Sequence, residues 1–285
     1  MHPILASFSI GGTHVVLHSY ATFYVLAWVV AVALGTVAAH RSGIAWPRAL
    51  LTFVVALVAG IVGARLLDLA VNWAYYAADP SRMYQPTFGG FSLYGGLILG
   101  LAAGAGLARL LRLEVWRLGD SAVPALAVGI VFMRIGCFLN GCCFGKVTSL
   151  PWGVTFPYGS PAWTHQLLTN PSGILGFLVR TQPVHPTQIY EIIAAAVLGG
   201  LATWLAVRGR LPSGAALVVF LLGFTLFRLG NNYLRATLPT FKLPGWFFPI
   251  VYLVVCAVLA ALLAWRMRSS PRVVASPMED ATRRL

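Results

Sequence analysis

Charge is scarce in this chain, and acid is scarcer still. Of 285 residues, 9% are charged, against about 25% in soluble domains, which excludes an ordinary water-soluble globule. Seven Asp and Glu stand against 20 Lys and Arg, leaving a net charge of +13. An excess of that kind can mark a nucleic-acid binder. No zinc-finger, RNA-binding or helix-turn-helix pattern accompanies it, so no nucleic-acid partner is expected. The excess reads instead as a membrane-topology signal with attraction for anionic headgroups. The first residues lack the basic start of a cleavable signal peptide, and no lipidation motif is present. Cysteine is sparse as well, with four residues. The two-plus-two spacing and fourth ligand of a zinc site are missing, so no metal is expected.

Apolar length is what the chain has in abundance, at 59% hydrophobic residues. A helix needs about 20 mostly apolar residues to cross a bilayer. Seven stretches qualify, near 17–39, 49–69, 90–112, 119–139, 187–206, 213–235 and 246–266. The expected fold is an all-α integral membrane protein with seven transmembrane helices, a single polytopic domain over 1–285. Arg41, Arg48, Arg109, Arg112, Arg117, Arg208 and Arg210 fall on alternate connections, and Arg266, Arg268, Arg272, Arg283 and Arg284 on the tail. The other connections carry only Arg82, Lys146, Arg180 and Lys242. That asymmetry puts the N-terminus outside and the C-terminus in the cytoplasm. Between spans 2 and 3, residues 70–88 with Trp73, Tyr75, Tyr76 and Tyr84 read as an amphipathic arm on the membrane. Residues 146–186 read as a small outer cap, and 267–285 as a basic cytoplasmic tail.

The chain is organised around Met133-Arg134-Ile-Gly-Cys-Phe-Leu-Asn140-Gly-Cys-Cys-Phe-Gly145. A guanidinium near hydrocarbon costs about 3 kcal/mol at a helix centre, and a buried anion that matches its planar donors, such as a phosphate, would offset it. Glycines there allow close approach of backbone and ligand. Arg228, Asn232 and Arg235 share a face of the sixth span and read as the lining of a polar cavity. With Arg134 they would enclose a phosphodiester from two sides. His185-Pro-Thr-Gln188-Ile-Tyr-Glu191 opens the fifth span; Thr187 and Gln188 can satisfy free backbone donors there, and Glu191 needs an Arg partner. Arg65 and Asp68 are spaced as an ion pair. Gly89-Gly90-Phe-Ser-Leu-Tyr94-Gly95-Gly96 suits either helix packing or a pocket wall. Tyr20 and Tyr24 suit interfacial anchoring or a headgroup contact. His14 and His18 fall at the start of the first span. Cys137, Cys142 and Cys143 are open to packing or a disulfide from Cys137 to either neighbour; Cys256 reads as packing.

The Arg134–Gly145 stretch resembles the signature of the prolipoprotein diacylglyceryl transferases, and Tyr20, Gly89–Gly96, His185–Glu191 and the Arg228–Arg235 face extend the resemblance along the membrane region. The resemblance implies a multi-pass enzyme of the bacterial cytoplasmic (inner) membrane with its site toward the outer leaflet. It would move a diacylglyceryl group from phosphatidylglycerol to the lipobox cysteine thiol of a preprolipoprotein, the first step of lipoprotein maturation, without a cofactor. It makes Arg134, Arg228, Tyr94 and His185 the catalytic candidates. Tyr20, Gly95, Gly96, Asn140, Gly145, Gln188, Asn232 and Arg235 are its substrate-binding candidates. Tyr94 stands where the better-known branch has a His, and a phenol is a poorer base at neutral pH. Cys137 replaces an Asn, while Cys142 and Asn232 each replace a Glu. Alternative readings are a paralogue with altered donor or acceptor, a binding-only member or transporter, and a membrane thiol–disulfide enzyme built on the cysteines.

Overall fold

A computed structural model of the chain describes residues 4–10, 13–83, 93–169, 180–236 and 244–269. It begins with a β-hairpin, β1 (Ile4–Ile10) antiparallel to β2 (Thr13–His18), with Ala6 opposite Leu17 and Ser9 opposite His14. The sequence reading began the first span near residue 17, close behind His14. The structure corrects this: His14 and His18 belong to the strand, and the helix starts at Ser19. Thr13-His-Val-Val carries β-branched residues that fit a pleated surface better than a helix turn.

The rest is helical. In order come α1 (Ser19–Arg41), α2 (Trp46–Val71), the short α3 (Trp73–Ala77), a 3-10 turn (Pro80–Met83), α4 (Leu93–Leu110) and α5 (Val115–Asn140). Then follow α6 (Pro161–Thr169), α7 (Thr187–Val207), α8 (Ala215–Leu234) and α9 (Phe247–Ser269). Among the described residues, six helices (α1, α2, α5, α7, α8 and α9) are long and apolar enough to cross a membrane. The apolar part of α4, Gly95–Leu110, is shorter. The chain is thus a helical integral membrane protein. Tyr84, Gly89–Ser92 and the tail beyond Ser269 lie outside the described residues.

Helix α5 is the axis of the bundle, packed on α1, α7 and α8, while α2 pairs with α4 and α9 with α8. Small residues set these approaches, as they do between membrane helices generally. A Cβ on Gly136 would lie 2.8 Å from Cβ of Phe23, which draws α1 over the end of α5. Gly63 and Gly95 bring the backbones of α2 and α4 into direct contact. At the opposite end, Asp120 of α5 caps α8: its carboxylate accepts from the Gly214 and Leu217 amides at 2.6 and 3.0 Å. Beside it the Arg266 guanidinium lies 4.6 Å from the Trp116 ring centroid, a cation–π contact.

At the end where α2 closes, Arg65 does more than pair with Asp68 at 4.0 Å. It donates to Tyr76 Oη and to the carbonyls of Arg82 and Met83, so it ties the arm down. Tyr76 donates to Asp68 at 2.6 Å, which raises its own phenol above the ordinary value. Residues 146–169 and 180–186 form α6 and short extended pieces over a small core of Phe144, Phe156, Ala162 and Val184.

Candidate active site

The site forms where α5 stops. Gly141 adopts a left-handed conformation (φ 73°), and the amides of Gly141 and Cys142 bond back to Phe138 and Cys137 carbonyls. Such a residue is a common helix C-cap. Cys143 is also left-handed (φ 60°), at a cost of about 1–2 kcal/mol for a residue with a Cβ. Two fully buried side chains of α7 hold it there: Thr187 Oγ1 donates to the Cys143 carbonyl and Gln188 Nε2 to the Cys142 carbonyl, both at 2.7 Å. Thr187 and Gln188 therefore serve the central stretch, where sequence reading had them serving their own helix start. Gly145 completes the seam. Its amide donates to the His185 carbonyl at 2.9 Å, and the next amide, Lys146, donates to Leu234 at 2.8 Å. A Cβ at 145 would lie 2.6 Å from His185 Cβ and 2.7 Å from the Leu234 carbonyl. Only glycine lets α5, α7 and α8 meet here.

That seam aligns a buried carboxylate with three guanidiniums. Glu191, 1% exposed, projects from the second turn of α7. Arg228 Nη1 donates to its Oε1 at 2.6 Å and Arg235 Nη1 to the same oxygen at 3.2 Å. Arg134 brings Nε to 2.6 Å from Oε2, with the N–H too oblique for an aligned hydrogen bond. The expected pairing of Glu191 with an arginine is thus a pairing with three. Asn231 Nδ2 donates to Oε1 at 3.1 Å, so the amide in this network is Asn231. Asn232, the amide that helical spacing had suggested, is half-buried beside it. Arg228 Nη2 also donates to Tyr252 Oη at 3.1 Å, bringing in α9. Three guanidiniums against one carboxylate leave two positive charges uncompensated among these groups. A buried excess of that sign calls for an anion, and planar donors from two helices match a phosphate.

Other candidates surround this cage. Tyr20 and Tyr24 of α1 stand with ring centroids 4.5 Å apart, and both are half-buried. Asn140 ends α5 and is half-buried, two residues before Cys142. His185 Nδ1 lies 3.3 Å from Tyr190 Oη, and Trp152 Nε1 donates to that phenol at 2.8 Å, so a tryptophan from the segment after α5 fixes the phenol beside the imidazole. Gly95 and Gly96 lie against α2, where a Cβ on Gly96 would meet the Gly60 carbonyl at 3.1 Å. Their visible work is helix packing. Tyr94 belongs to α4, and its side chain lies outside the described residues. All four cysteines are free thiols. Sequence reasoning missed Asn231, Tyr252 and Trp152. For Tyr252 a signal existed, a phenol inside an otherwise apolar span.

Comparison with known proteins agrees with this chemistry. Residues 6–267 match the family model described as prolipoprotein diacylglyceryl transferase. The chain is 30% identical over 225 residues to the phosphatidylglycerol--prolipoprotein diacylglyceryl transferase of Geobacter sulfurreducens, covering 78% of this chain and 79% of that protein. It is 31% identical over 235 residues to the protein of the same name from Proteus mirabilis, covering 80% and 79%. A third, from Nitratidesulfovibrio vulgaris, is 31% identical over 219 residues, covering 76% and 75%.

Proposed function

The chain belongs to the prolipoprotein diacylglyceryl transferase family, and from that membership we propose that it carries a diacylglyceryl group from phosphatidylglycerol to the lipobox cysteine of a prolipoprotein. The acceptor sulfur attacks the glycerol carbon that bears the phosphoester. The C–O bond breaks, and glycerol phosphate leaves with the electron pair. Negative charge on the phosphate is greatest as the bond breaks, and fixed guanidiniums aimed at it stabilise that moment more than the ground state.

The observation that carries this reading is the convergence of Arg134, Arg228 and Arg235 on one carboxylate. Glu191 gathers the three cations onto one carboxylate, and a phosphate entering the cage takes up the charge Glu191 leaves unmatched. In this assignment Arg134 and Arg228 grip the phosphate and Arg235 adds to the field. Asn140, Gly145 and Gln188 shape the wall, and Tyr20 faces the headgroup. His185 is the candidate base, oriented through Tyr190 and Trp152.

For topology, we infer that α4 is a seventh span, with the N-terminus outside and the C-terminal tail 267–285 cytoplasmic. The cage then lies toward the outer leaflet of the bacterial cytoplasmic membrane, beneath a cap formed by 146–186. Secreted acceptors would reach it from that side.

The test supplies purified protein with phosphatidylglycerol and a lipobox peptide and looks for the thioether by mass spectrometry. A peptide heavier by one diacylglyceryl group is the expected product. Absence of product while an active relative run alongside makes it would overturn the proposal.

A further inference from the structure

Cys137, Cys142 and Cys143 have their three sulfurs all within 4.8 Å of one another. This grouping is built. Cys137 is buried on the last turn of α5, 2% exposed. The left-handed Gly141 reverses the chain, and the left-handed Cys143 is held in its costly conformation by Thr187, with Gln188 pinning the Cys142 carbonyl next to it. A relaxed backbone at 143 would not need those two buried hydrogen bonds. Their effect is to fix in place the turn that carries two of the three thiols.

We propose that these three cysteines form a thiolate site for one zinc-class divalent cation, with its fourth coordination position open. Zn–S bonds of about 2.3 Å put sulfurs about 4 Å apart, so the cluster needs only small side-chain rotations to close on an ion. No fourth His, Cys, Asp or Glu joins the group among the described residues. Structural zinc sites close with four protein ligands, whereas three ligands and an open position are the pattern of sites that bind a reactant. The surroundings suit the charge. Three thiolates and a divalent cation sum to one negative charge, and the two unmatched positive charges of the arginine cage lie alongside, with Arg134 Nη1 3.8 Å from Cys137 Sγ. Cys142 and Cys143 are only partly buried, so the cluster is not sealed off.

The open position has a use that rests on the transferase reading. A thiol that coordinates zinc loses its proton to solvent and becomes a thiolate at neutral pH. The lipobox sulfur bound there would be activated beside the phosphate cage. It would then attack the glycerol carbon as the carbon–oxygen bond to phosphate breaks and leave the metal as the thioether. This supplies the deprotonation that would otherwise fall to His185. It also departs from the sequence expectation of a metal-free protein.

The experiment titrates the reduced full-length protein in detergent with Cd2+ and reads the ultraviolet thiolate-to-metal charge-transfer band. The expected result is saturation at one Cd2+ per chain, competed by Zn2+. The band should weaken at least tenfold in apparent affinity in Cys142→Ser and Cys143→Ser, each checked for folding by its melting curve, and persist in Cys256→Ser. No band, or an equal band in the two variants, overturns the site, as does a Cys137–Cys142 or Cys137–Cys143 disulfide in protein purified without reductant. Co2+-loaded protein then separates the two claims. Lipobox peptide should change the visible cobalt spectrum while a peptide with Ser for Cys should not, and an unchanged spectrum in a cobalt-bound protein overturns the open position. Metal binding with no thioether product under any loading would count against the transferase reading while leaving the cation site standing.

Discussion

Replacing Glu191 by Gln keeps the side-chain volume and removes the charge that holds the cage together. In the native arrangement one fully buried carboxylate faces three guanidiniums at 2.6, 2.6 and 3.2 Å. Breaking a buried pair by deleting one partner costs about 3–5 kcal/mol, because the remaining charge stays buried and unmatched. The arginine side chains are 13–25% exposed, so some of their charge reaches solvent, and the low end, about 3 kcal/mol, applies. With an unfolding entropy of about 2.1 cal/mol/K per residue over 285 residues, that corresponds to a fall in Tm of roughly 5 °C. Thermal unfolding in detergent measures it. A second arm is more diagnostic: an anionic phospholipid should raise the Tm of Glu191→Gln by more than it raises that of the wild type, since the lipid phosphate replaces the lost carboxylate. A variant that melts within a degree of wild type, or that gains nothing extra from anionic lipid, would refute the idea that Glu191 gathers the cations.

Four further outcomes are expected. Arg134→Ala and Arg228→Ala should each lower transferase kcat/KM by about a hundredfold or more, the loss typical of one fixed donor to a developing anion; steady-state assays on folded variants check it. Gly145→Ala drives a methyl against His185 and the Leu234 carbonyl and should cost about 1–3 kcal/mol as overpacking, read as lost thermal stability. Tyr252→Phe removes a single hydrogen bond from Arg228 and should cost about 1.5–3 kcal/mol at most, visible as a milder kinetic defect than Arg228→Ala. In the arm, the Ser81 hydroxyl bonded to Asp79 holds that carboxyl below the ordinary carboxylate value. Its contribution is therefore present above the unfolded pKa and is lost as pH falls through the depressed folded one. Protection of the Ser81–Met83 amides, taken relative to their intrinsic exchange rates, should hold at neutral pH and fall only at strongly acidic pH.

Much of this protein is legible along the chain because membranes impose few solutions. Apolar length located the seven long helices within a few residues, and the Arg134 stretch falls where guanidiniums converge on Glu191. The failures share a cause. Helical spacing from Arg228 pointed to Asn232, but in the fold Asn231 meets Glu191, because the carboxylate enters from α7 at an angle that spacing on α8 alone cannot express. Gln188 and Thr187 looked like caps of their own helix, yet their partners are carbonyls more than forty residues earlier. The hairpin had a local signal, two glycines between runs of apolar and β-branched residues, which the apolar count for a first span obscured. Gly95 and Gly96 matched a pocket wall and a packing stripe equally well in sequence; contact with α2 was visible only in three dimensions.

The most direct measurement of the central idea is phosphatidylglycerol binding itself. Native mass spectrometry of the detergent-released protein should retain phosphatidylglycerol on the wild type, at least tenfold less on Arg134→Ala or Arg228→Ala, and little phosphatidylcholine on any of them. Equal retention of phosphatidylglycerol by the wild type and both arginine variants would contradict a phosphate held between α5 and α8.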